Sequence, residues 1–401
     1  MESNKKIRIA HLINYLAPAG KEIGILKLLH HSDQAIFDNT LIVLNKTHTS
    51  EVLDLNNITL LQLNQGEGNN IKLPIQLSKL FKQHRFDIVH THSWGTLIEG
   101  IAGAKLAGVP VIIHGEHGTF PQKIPHRYIQ PYFWGMANRV LSVSGHLGKK
   151  LSTVTGFPLD KIEVILNGVE EANFYPSQKI RRNFRREFNF SENDFVVGAV
   201  GRLTGVKNQA MLLRAAREVI RRGEEIQIVL VGGFAVGDDK EAELKLLVSE
   251  SGISEYVHFV GFQKNINLFY NGFDVFALTS LSEGCSNVIQ EAMFCKKPVI
   301  ATNVGGNPEL IRDNHTGFLV ESNNHIQLAE RILALKHNTQ LRKDIGLKAR
   351  QFARKHFSLT QMVDAYHRVY LEEYDHALIK HPKFRTRRRT PVRTGRLKHL
   401  L

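Results

Sequence analysis

The chain has 401 residues, 42% of them hydrophobic and 22% charged, which predicts a globular protein of about two domains and excludes a disordered chain. Its two cysteines exclude a disulfide framework and a four-cysteine zinc site, and no apolar run reaches the ~18 residues of a membrane-spanning helix. The formal net charge is +14, but residues 380–401 hold nine basic and no acidic side chains, so the rest of the chain is close to balanced.

Short apolar runs alternate with amphipathic stretches through the first half of the chain. The runs are rich in β-branched residues, which predicts buried strands at 7–13, 40–44, 86–90, 109–113 and 139–143. Helical periodicity lies between them at 73–84 and at 96–107. This alternation predicts a parallel sheet covered by helices on both faces.

The pattern restarts after a polar segment at 171–194. Strands are predicted at 195–200, 226–231, 257–260, 275–278 and 298–301, with helices at 208–222 and 241–250. Residues 325–379 have helical periodicity with an interruption near 356–358. We therefore predict an α/β fold with two doubly wound domains, residues 1–176 and 177–356. A ligand cleft is expected at the carboxyl ends of their strands.

A glycine loop with two cations, residues 201–208, follows the strand at 195–200. Glycine allows the backbone to approach a ligand closely, and the helix that begins next adds free N–H groups and the positive end of its dipole. Arg202 adds a bidentate donor and Lys207 a point charge. The loop fits a pyrophosphate, and an ordinary surface loop with solvated cations is the alternative.

Two carboxylates eight positions apart, Glu283 and Glu291, follow the strand at 275–278. Ser286 or Asn287 is suited to cap a helix over 287–295. Glu291 then lies about one turn inside that helix, beside an apolar stretch where a carboxylate needs partners. Ribose hydroxyls would supply them. The alternative is a glutamate stabilised by the helix dipole, which is the favoured explanation for Glu283 taken alone.

Four histidines follow two predicted strands of the first domain: His90, His92, His114 and His117. Their spacing occurs in zinc sites, but zinc also needs a fixed tetrahedron of ligands, and we favour no metal here. His117, next to Gly118, is expected in the cleft, whereas His90 is equally explained as a core residue at the end of a strand.

Together these motifs resemble the retaining glycosyltransferases of family 4, which have the GT-B fold. The pair Glu283-x7-Glu291 is the hallmark of that family, and Arg202-x4-Lys207 also matches. Asn167-Gly168-Val169 and Gly305-Gly306-x-Pro308-Glu309 match as well, and the resemblance covers residues 5–375. The first loop departs from the family's Gly-Gly before a Glu, because it reads Ala19-Gly20-Lys21-Glu22 and Ala19 restricts the turn.

The resemblance implies a role for each matching residue. Arg202 and Lys207 bind the diphosphate of a nucleotide-sugar, Glu291 holds its ribose, and Glu283 lies near the donor sugar. His117 faces the transferred sugar from the first domain. The implied catalytic residues are Glu283, His117, Arg202 and Lys207. The implied nucleotide-sugar-binding residues are Gly20, Arg202, Lys207, Glu283, Asn287, Val288 and Glu291.

The resemblance also implies a reaction. A sugar moves from a UDP-sugar or GDP-sugar to a glycan or lipid-linked acceptor with retention of configuration, and no metal ion or cofactor is expected. The segment 357–379 is expected to pack back on the first domain. Alternatives are a GT-B nucleotide-sugar epimerase and a non-catalytic nucleotide-sugar-binding protein.

Two loops of the first domain are the predicted contacts of the acceptor. The acceptor is expected to contact the loops 64–72 and 118–132, although the aromatic residues of the second loop also suit the core of a helix near 126–137.

The basic segment 380–401 is expected to be disordered and to attract an anionic membrane surface. Its single aromatic residue, Phe384, argues against specific nucleic-acid binding. The N-terminus lacks the features of a secretory signal, so we expect a cytoplasmic protein, peripheral on the cytoplasmic face of a membrane.

Overall fold

The structure is a computed structural model that describes residues 6–380 apart from residue 18 and the segments 46–52, 66–69, 119–123 and 234–239. The described part of the chain forms two parallel sheets. The strands of the first sheet are β1 (Ile7–Ile13), β2 (Phe37–Val43), β3 (Thr59–Gln62), β4 (Ile88–His92), β5 (Val111–Glu116), β6 (Arg139–Ser142) and β7 (Ile162–Val164). The strands of the second sheet are β8 (Val196–Val200), β9 (Gln227–Val231), β10 (Val257–Phe259), β11 (Val275–Leu278), β12 (Val299–Thr302) and β13 (Phe318–Val320).

Helices connect the strands in both halves. Those of the first half are α1 (Gly20–His31), α2 (Leu73–His84), α3 (Trp94–Ala107), α4 (Ile124–Trp134) and α5 (Gly145–Thr155). Those of the second half are α6 (Gln178–Glu187), α7 (Gln209–Arg221), α8 (Lys240–Glu250), α9 (Ile266–Gly272), α10 (Asn287–Phe294), α11 (Asn307–Leu310), α12 (His325–His337), α13 (Thr339–His356) and α14 (Leu359–Lys380). Among the described residues, none of these helices is both long enough and apolar enough to cross a bilayer.

The order of strands creates one crevice in each sheet. The first sheet runs β3-β2-β1-β4-β5-β6-β7 and the second β10-β9-β8-β11-β12-β13, with every pair parallel. The connections change direction between β1 and β4 and between β8 and β11. In doubly wound sheets, ligands bind outside the carboxyl ends of the strands at such points. The fold class predicted from the sequence is confirmed.

The ten predicted strands are present with shifts of a few residues, but three further strands, β3, β7 and β13, are not anticipated by the sequence analysis. Each is three or four residues long and lies at the edge of its sheet. β3 and β7 are partly exposed and contain polar residues, whereas β13 is apolar but has only three residues, fewer than the four to eight of a recognisable strand.

The predicted loop 118–132 is wrong in its second half, because α4 begins at Ile124. The aromatic side chains of this segment are predicted either to face the acceptor or to pack in the core. Trp134 is buried in the core, whereas Tyr128 and Tyr132 are 71% and 64% exposed. Phe133 is partly buried against the same core, and Phe120 lies outside the described residues.

The last helix returns to the first sheet. Apolar residues of α14, among them Val363, Tyr366 and Val369, pack with Ile9 of β1 and Ile88 of β4 in one buried cluster. The two segments that cross between the sheets also pair with each other: the Val169 N–H donates to the Phe357 carbonyl at 2.8 Å, and the Leu359 N–H donates to the Val169 carbonyl at 3.0 Å. This helix also contains Lys380, which the sequence analysis assigns to the basic tail. Residues 381–401 lie outside the described residues.

Candidate active site

A lysine and a glutamate meet at the carboxyl ends of β8 and β11. The Lys207 ammonium donates to Glu283 Oε1 at 2.6 Å, and the Ser280 hydroxyl donates to the same oxygen at 2.5 Å. The side chains of Lys207 and Glu283 are 23% and 10% exposed. Two predicted site residues 76 positions apart in sequence are therefore in contact at the crevice of the second sheet. Arg202 lies on the same loop as Lys207 and is exposed.

Two glycines after β12 support the backbone of Glu283. The Gly306 N–H donates to the Glu283 carbonyl at 3.2 Å. A Cβ on Gly305, whose φ is +56°, would lie 1.9 Å from that carbonyl oxygen, and a Cβ on Gly306 would lie 2.1 Å from the Gly284 oxygen. Only glycine allows the two loops to approach so closely. The Gly305-Gly306 pair therefore positions the glutamate loop.

Glu291 lies in α10 and accepts a hydrogen bond at 2.9 Å from the hydroxyl of Tyr270, which is fully buried. Burial raises the pKa of Glu291, while Lys27 of α1 and the Tyr270 hydroxyl act in the opposite direction. The tyrosine is one of the partners that a carboxylate in this position needs, and it is absent from the sequence analysis because it comes from α9. The same hydroxyl lies 3.3 Å from the Val288 carbonyl oxygen.

The beginning of α10 faces the first domain. Asn287 Oδ1 accepts from Asn167 Nδ2 at 2.8 Å, and a Cβ on Gly20 would lie 3.3 Å from Asn287 Nδ2. Gly20 and Asn287, both predicted site residues, thus lie on opposite sides of one cleft. Ser286, the residue just before α10, has a buried hydroxyl with no hydrogen-bond partner among the described residues.

His117 lies on the first domain's side of the cleft. A Cβ on Gly284 would come within 3.0 Å of the His117 carbonyl oxygen, so the glutamate loop lies against it. Burial, with a smaller effect from Lys21, lowers the pKa of His117 to about 3, which leaves its ring neutral at pH 7. Lys21, the unusual residue of the first loop, pairs with Glu22 at 2.9 Å.

Of the four histidines considered as zinc ligands, His90, His92 and His117 lie together and His114 lies apart from them. His114 hydrogen-bonds to Thr91 at 2.8 Å and to Glu116 at 3.0 Å. His90 and His92, together with His11, have ring nitrogens within 4.8 Å of one another, a spacing that a metal ion could bridge. His11 is missing from the sequence analysis because it lies on β1, and only the pairing of β1 with β4 places it opposite His90.

Glu309 joins the two domains. Its carboxylate accepts from the Gly145 N–H at 2.9 Å and from the His146 N–H, both in the first turn of α5. A carboxylate in this position satisfies free N–H groups and interacts favourably with the helix dipole. The sequence places Glu309 in a matching motif, but its partner can be found only from the tertiary structure.

The Glu309→Ala variant should unfold more easily than the wild type. The substitution removes the two carboxylate oxygens that accept hydrogen bonds from the first N–H groups of α5. The free energy of unfolding should therefore fall by about 1–2 kcal/mol, as for other lost helix caps. Urea titration followed by circular dichroism measures the change. The exposed Glu330 of α12 provides a control, since Glu330→Ala should have little effect. Equal stabilities of the two variants would contradict the capping role.

Two family models and several known glycosyltransferases match this chain. The family model for Glycosyltransferase Family 4 matches residues 7–173, and that for Glycosyl transferases group 1 matches residues 180–352. The Escherichia coli UDP-Gal:alpha-D-GlcNAc-diphosphoundecaprenol alpha-1,3-galactosyltransferase is 30% identical over 265 residues, which cover 63% of this chain and 67% of that protein. The putative glycosyltransferase EpsD of Bacillus subtilis is 28% identical over 318 residues, or 76% of this chain and 81% of that one.

Solved structures show the same fold. The Anabaena protein HepE, crystallised with UDP and glucose, superposes with a TM-score of 0.80 at 22% identity, covering 91% of this chain and all of that one. Sucrose-phosphate synthase from Thermosynechococcus elongatus superposes with a TM-score of 0.75 at 18% identity and covers 92% of this chain. From the family models, the E. coli relative and the two facing Rossmann-like domains, we conclude that this chain belongs to glycosyltransferase family 4 and has the GT-B fold.

Proposed function

We propose that the protein transfers a sugar from a nucleotide-sugar, a UDP-sugar in preference to a GDP-sugar, to a glycan or lipid-linked acceptor with retention of configuration. The contact between Lys207 and Glu283 at the crevice of the second sheet carries this proposal. The Ser286 hydroxyl, which has no hydrogen-bond partner within the described part of the chain, and the first N–H groups of α10 are suited to a phosphate. The preference for uridine rests on the E. coli relative, named for UDP-Gal, and on HepE, which was solved with UDP.

The chemistry follows from the need to stabilise a departing diphosphate. The bond between the anomeric carbon and the phosphate oxygen breaks, the acceptor oxygen bonds to the same face of that carbon, and the departing phosphate oxygen takes the acceptor's proton. Lys207 and Arg202 neutralise the charge that develops, and preorganised N–H groups assist. These cations allow departure without a bound metal ion. Glu291, held by Tyr270, would bind the ribose.

The first domain completes the site. His117 and Gly20 face the donor-binding loops across the cleft, and closing the domains excludes water that would otherwise hydrolyse the donor. The basic segment 381–401, which lies outside the described residues, remains the proposed contact with an anionic membrane surface.

Nucleotide binding tests the donor site. At 100 times its Kd, UDP should stabilise the folded protein by about 2.7 kcal/mol, seen as a rise in Tm. Lys207→Ala should lose most of the Tm shift caused by UDP but keep the smaller shift caused by uridine, because the proposed role of the lysine is to bind the diphosphate and not the nucleoside. The exposed Lys348 of α13 serves as control, since Lys348→Ala should respond like the wild type.

Two outcomes would contradict the proposal. If neither UDP nor GDP changes the Tm at millimolar concentration, the cleft is not a donor site. If a donor labelled in its sugar yields only an epimerised nucleotide-sugar, or no product with any acceptor, the protein is an epimerase or a binding protein rather than a transferase.

A further inference from the structure

A line of four hydrogen-bonded side chains leads from the cleft into the first sheet. His117 Nε2 lies 3.0 Å from His92 Nδ1, and His92 Nε2 lies 3.3 Å from His11 Nδ1. His11 Nε2 lies 3.2 Å from Asn39 Oδ1 on β2. The line therefore joins β2, β1, β4 and the loop after β5 at the carboxyl edge of the sheet.

The rings in this line are neutral near pH 7. His11 and His92 are at most 1% exposed. Burial lowers the pKa of His11 to about 4 and that of His92 well below its usual value. Lys21 further lowers the pKa values of His92 and His117. The neighbouring ring of His90 does the same for His92, and that of His114 does the same for His117. A neutral imidazole carries one N–H and one bare nitrogen, so each ring donates one hydrogen bond and accepts one.

The amide oxygen at the end of the line sets its direction. The Asn39 amide is oriented with Oδ1 toward His11 Nε2, and an amide oxygen can only accept; in this orientation the proton of His11 is on Nε2 and its Nδ1 is bare. His92 must then donate from Nε2 to His11, which leaves His92 Nδ1 to accept from His117. The proton of His117 is therefore on Nε2, and its Nδ1 is bare.

We infer that His92, His11 and Asn39 hold His117 in the Nε2–H tautomer, so that His117 Nδ1 is a hydrogen-bond acceptor for a hydroxyl group of the bound sugar. The identity of that ligand rests on the proposed function, whereas the tautomer does not. His92 and His11 are positioning residues, since they act on the sugar only through His117.

The surroundings are consistent with a hydrogen-bonded line. Gly115, paired with His92 in the sheet, leaves room for the rings: a Cβ there would lie 3.1 Å from His90 Nε2 and 3.3 Å from His117 Nε2. His90 stands outside the line, because its Nδ1 bonds to the Tyr370 hydroxyl of α14 at 2.9 Å and its Nε2 has no hydrogen-bond partner among the described residues. A metal ion held by His11, His90 and His92 is the competing use of these rings.

Nitrogen NMR of the imidazole rings tests the tautomer directly. In full-length protein labelled with ¹⁵N-histidine, with signals assigned from single His→Gln variants, His11, His92 and His117 should all be neutral Nε2–H tautomers between pH 6 and 8. A His117 protonated on Nδ1, or a charged His117 in this range, would overturn the inference. So would one equivalent of zinc bound after dialysis with shifts at His11, His90 and His92, because that result establishes the metal site instead.

Kinetics of matched variants test the positioning role. His92→Phe removes the acceptor for His117, so kcat/KM for the donor should fall about tenfold, the value of one hydrogen bond. His92→Gln offers an amide oxygen in its place and should recover part of the loss. His114→Gln is the control. His114 is as buried as His92 but lies on the opposite face of the sheet, so its substitution should leave the tautomer of His117 unchanged.

UDP affinity separates this inference from the proposed function. All three variants should bind UDP like the wild type, since the diphosphate contacts lie in the second domain. If UDP fails to bind the wild type, the proposed function fails while the tautomer is still measured by NMR. If UDP binds but His92→Phe and His92→Gln match His114→Gln in kcat/KM, the positioning role is wrong.

Discussion

Lys207→Ala should lower kcat about 10²–10³-fold while leaving the fold intact, the range found when one preorganised group that stabilises developing charge is removed. The lysine lies at the cleft, is partly exposed and contacts Glu283, so its removal takes away the cation proposed to bind the diphosphate and little buried apolar surface. Glu283 would still accept from Ser280. Transfer from a labelled UDP-sugar measures kcat, and urea unfolding measures stability.

Two companion variants make the result specific. Lys207→Arg keeps the charge but changes its geometry, so its activity should lie between those of wild type and alanine. Lys348→Ala changes the net charge equally at an exposed site away from the cleft and should retain full activity. Wild-type kcat in Lys207→Ala would remove this lysine from the mechanism.

Lowering the pH from 7 to 5 should destabilise the protein strongly. His11, His90, His92 and His117 have folded-state pKa values lowered by burial, whereas their unfolded values are near 6.5. Below pH 6.5 the unfolded chain therefore binds more protons than the folded one, and stability is lost as the pH falls toward the folded pKa values. With folded pKa values of about 4 and about 3, His11 and His117 should each lower the free energy of unfolding by about 2 kcal/mol at pH 5, and His90 and His92 act in the same direction. The raised pKa of Glu291 acts in the opposite direction.

Urea unfolding at pH 7, 6 and 5 measures this dependence. His11→Asn removes one of the four groups, so its free energy of unfolding should fall less steeply with decreasing pH than that of the wild type. A wild-type stability that is constant between pH 7 and pH 5 would show that these rings are not buried in neutral form.

Local patterns are enough to predict the central strands and the loops that follow them at the cleft. Strand β11 is a continuous apolar run because both of its faces are covered, and the predicted bounds of helix α2 are the observed ones. The Arg202-x4-Lys207 loop and the Glu283-x7-Glu291 pair lie next to such strands. Their position at the carboxyl end of a sheet follows from the alternation of strands and helices alone.

Contacts between distant segments required the tertiary structure. The short edge strands β3, β7 and β13 become strands only by pairing with a neighbour, and the partner of Glu309 is the first turn of a helix in the other domain. The tautomer assigned to His117 depends on His11, more than 100 positions away in sequence, and on Asn39 beyond it. The sequence by itself determined which segments lie at the carboxyl ends of the strands, because burial and turns leave a local pattern. Only the packing of parallel strands side by side decided which of those side chains touch, because the order of strands in a sheet leaves no local pattern in the sequence.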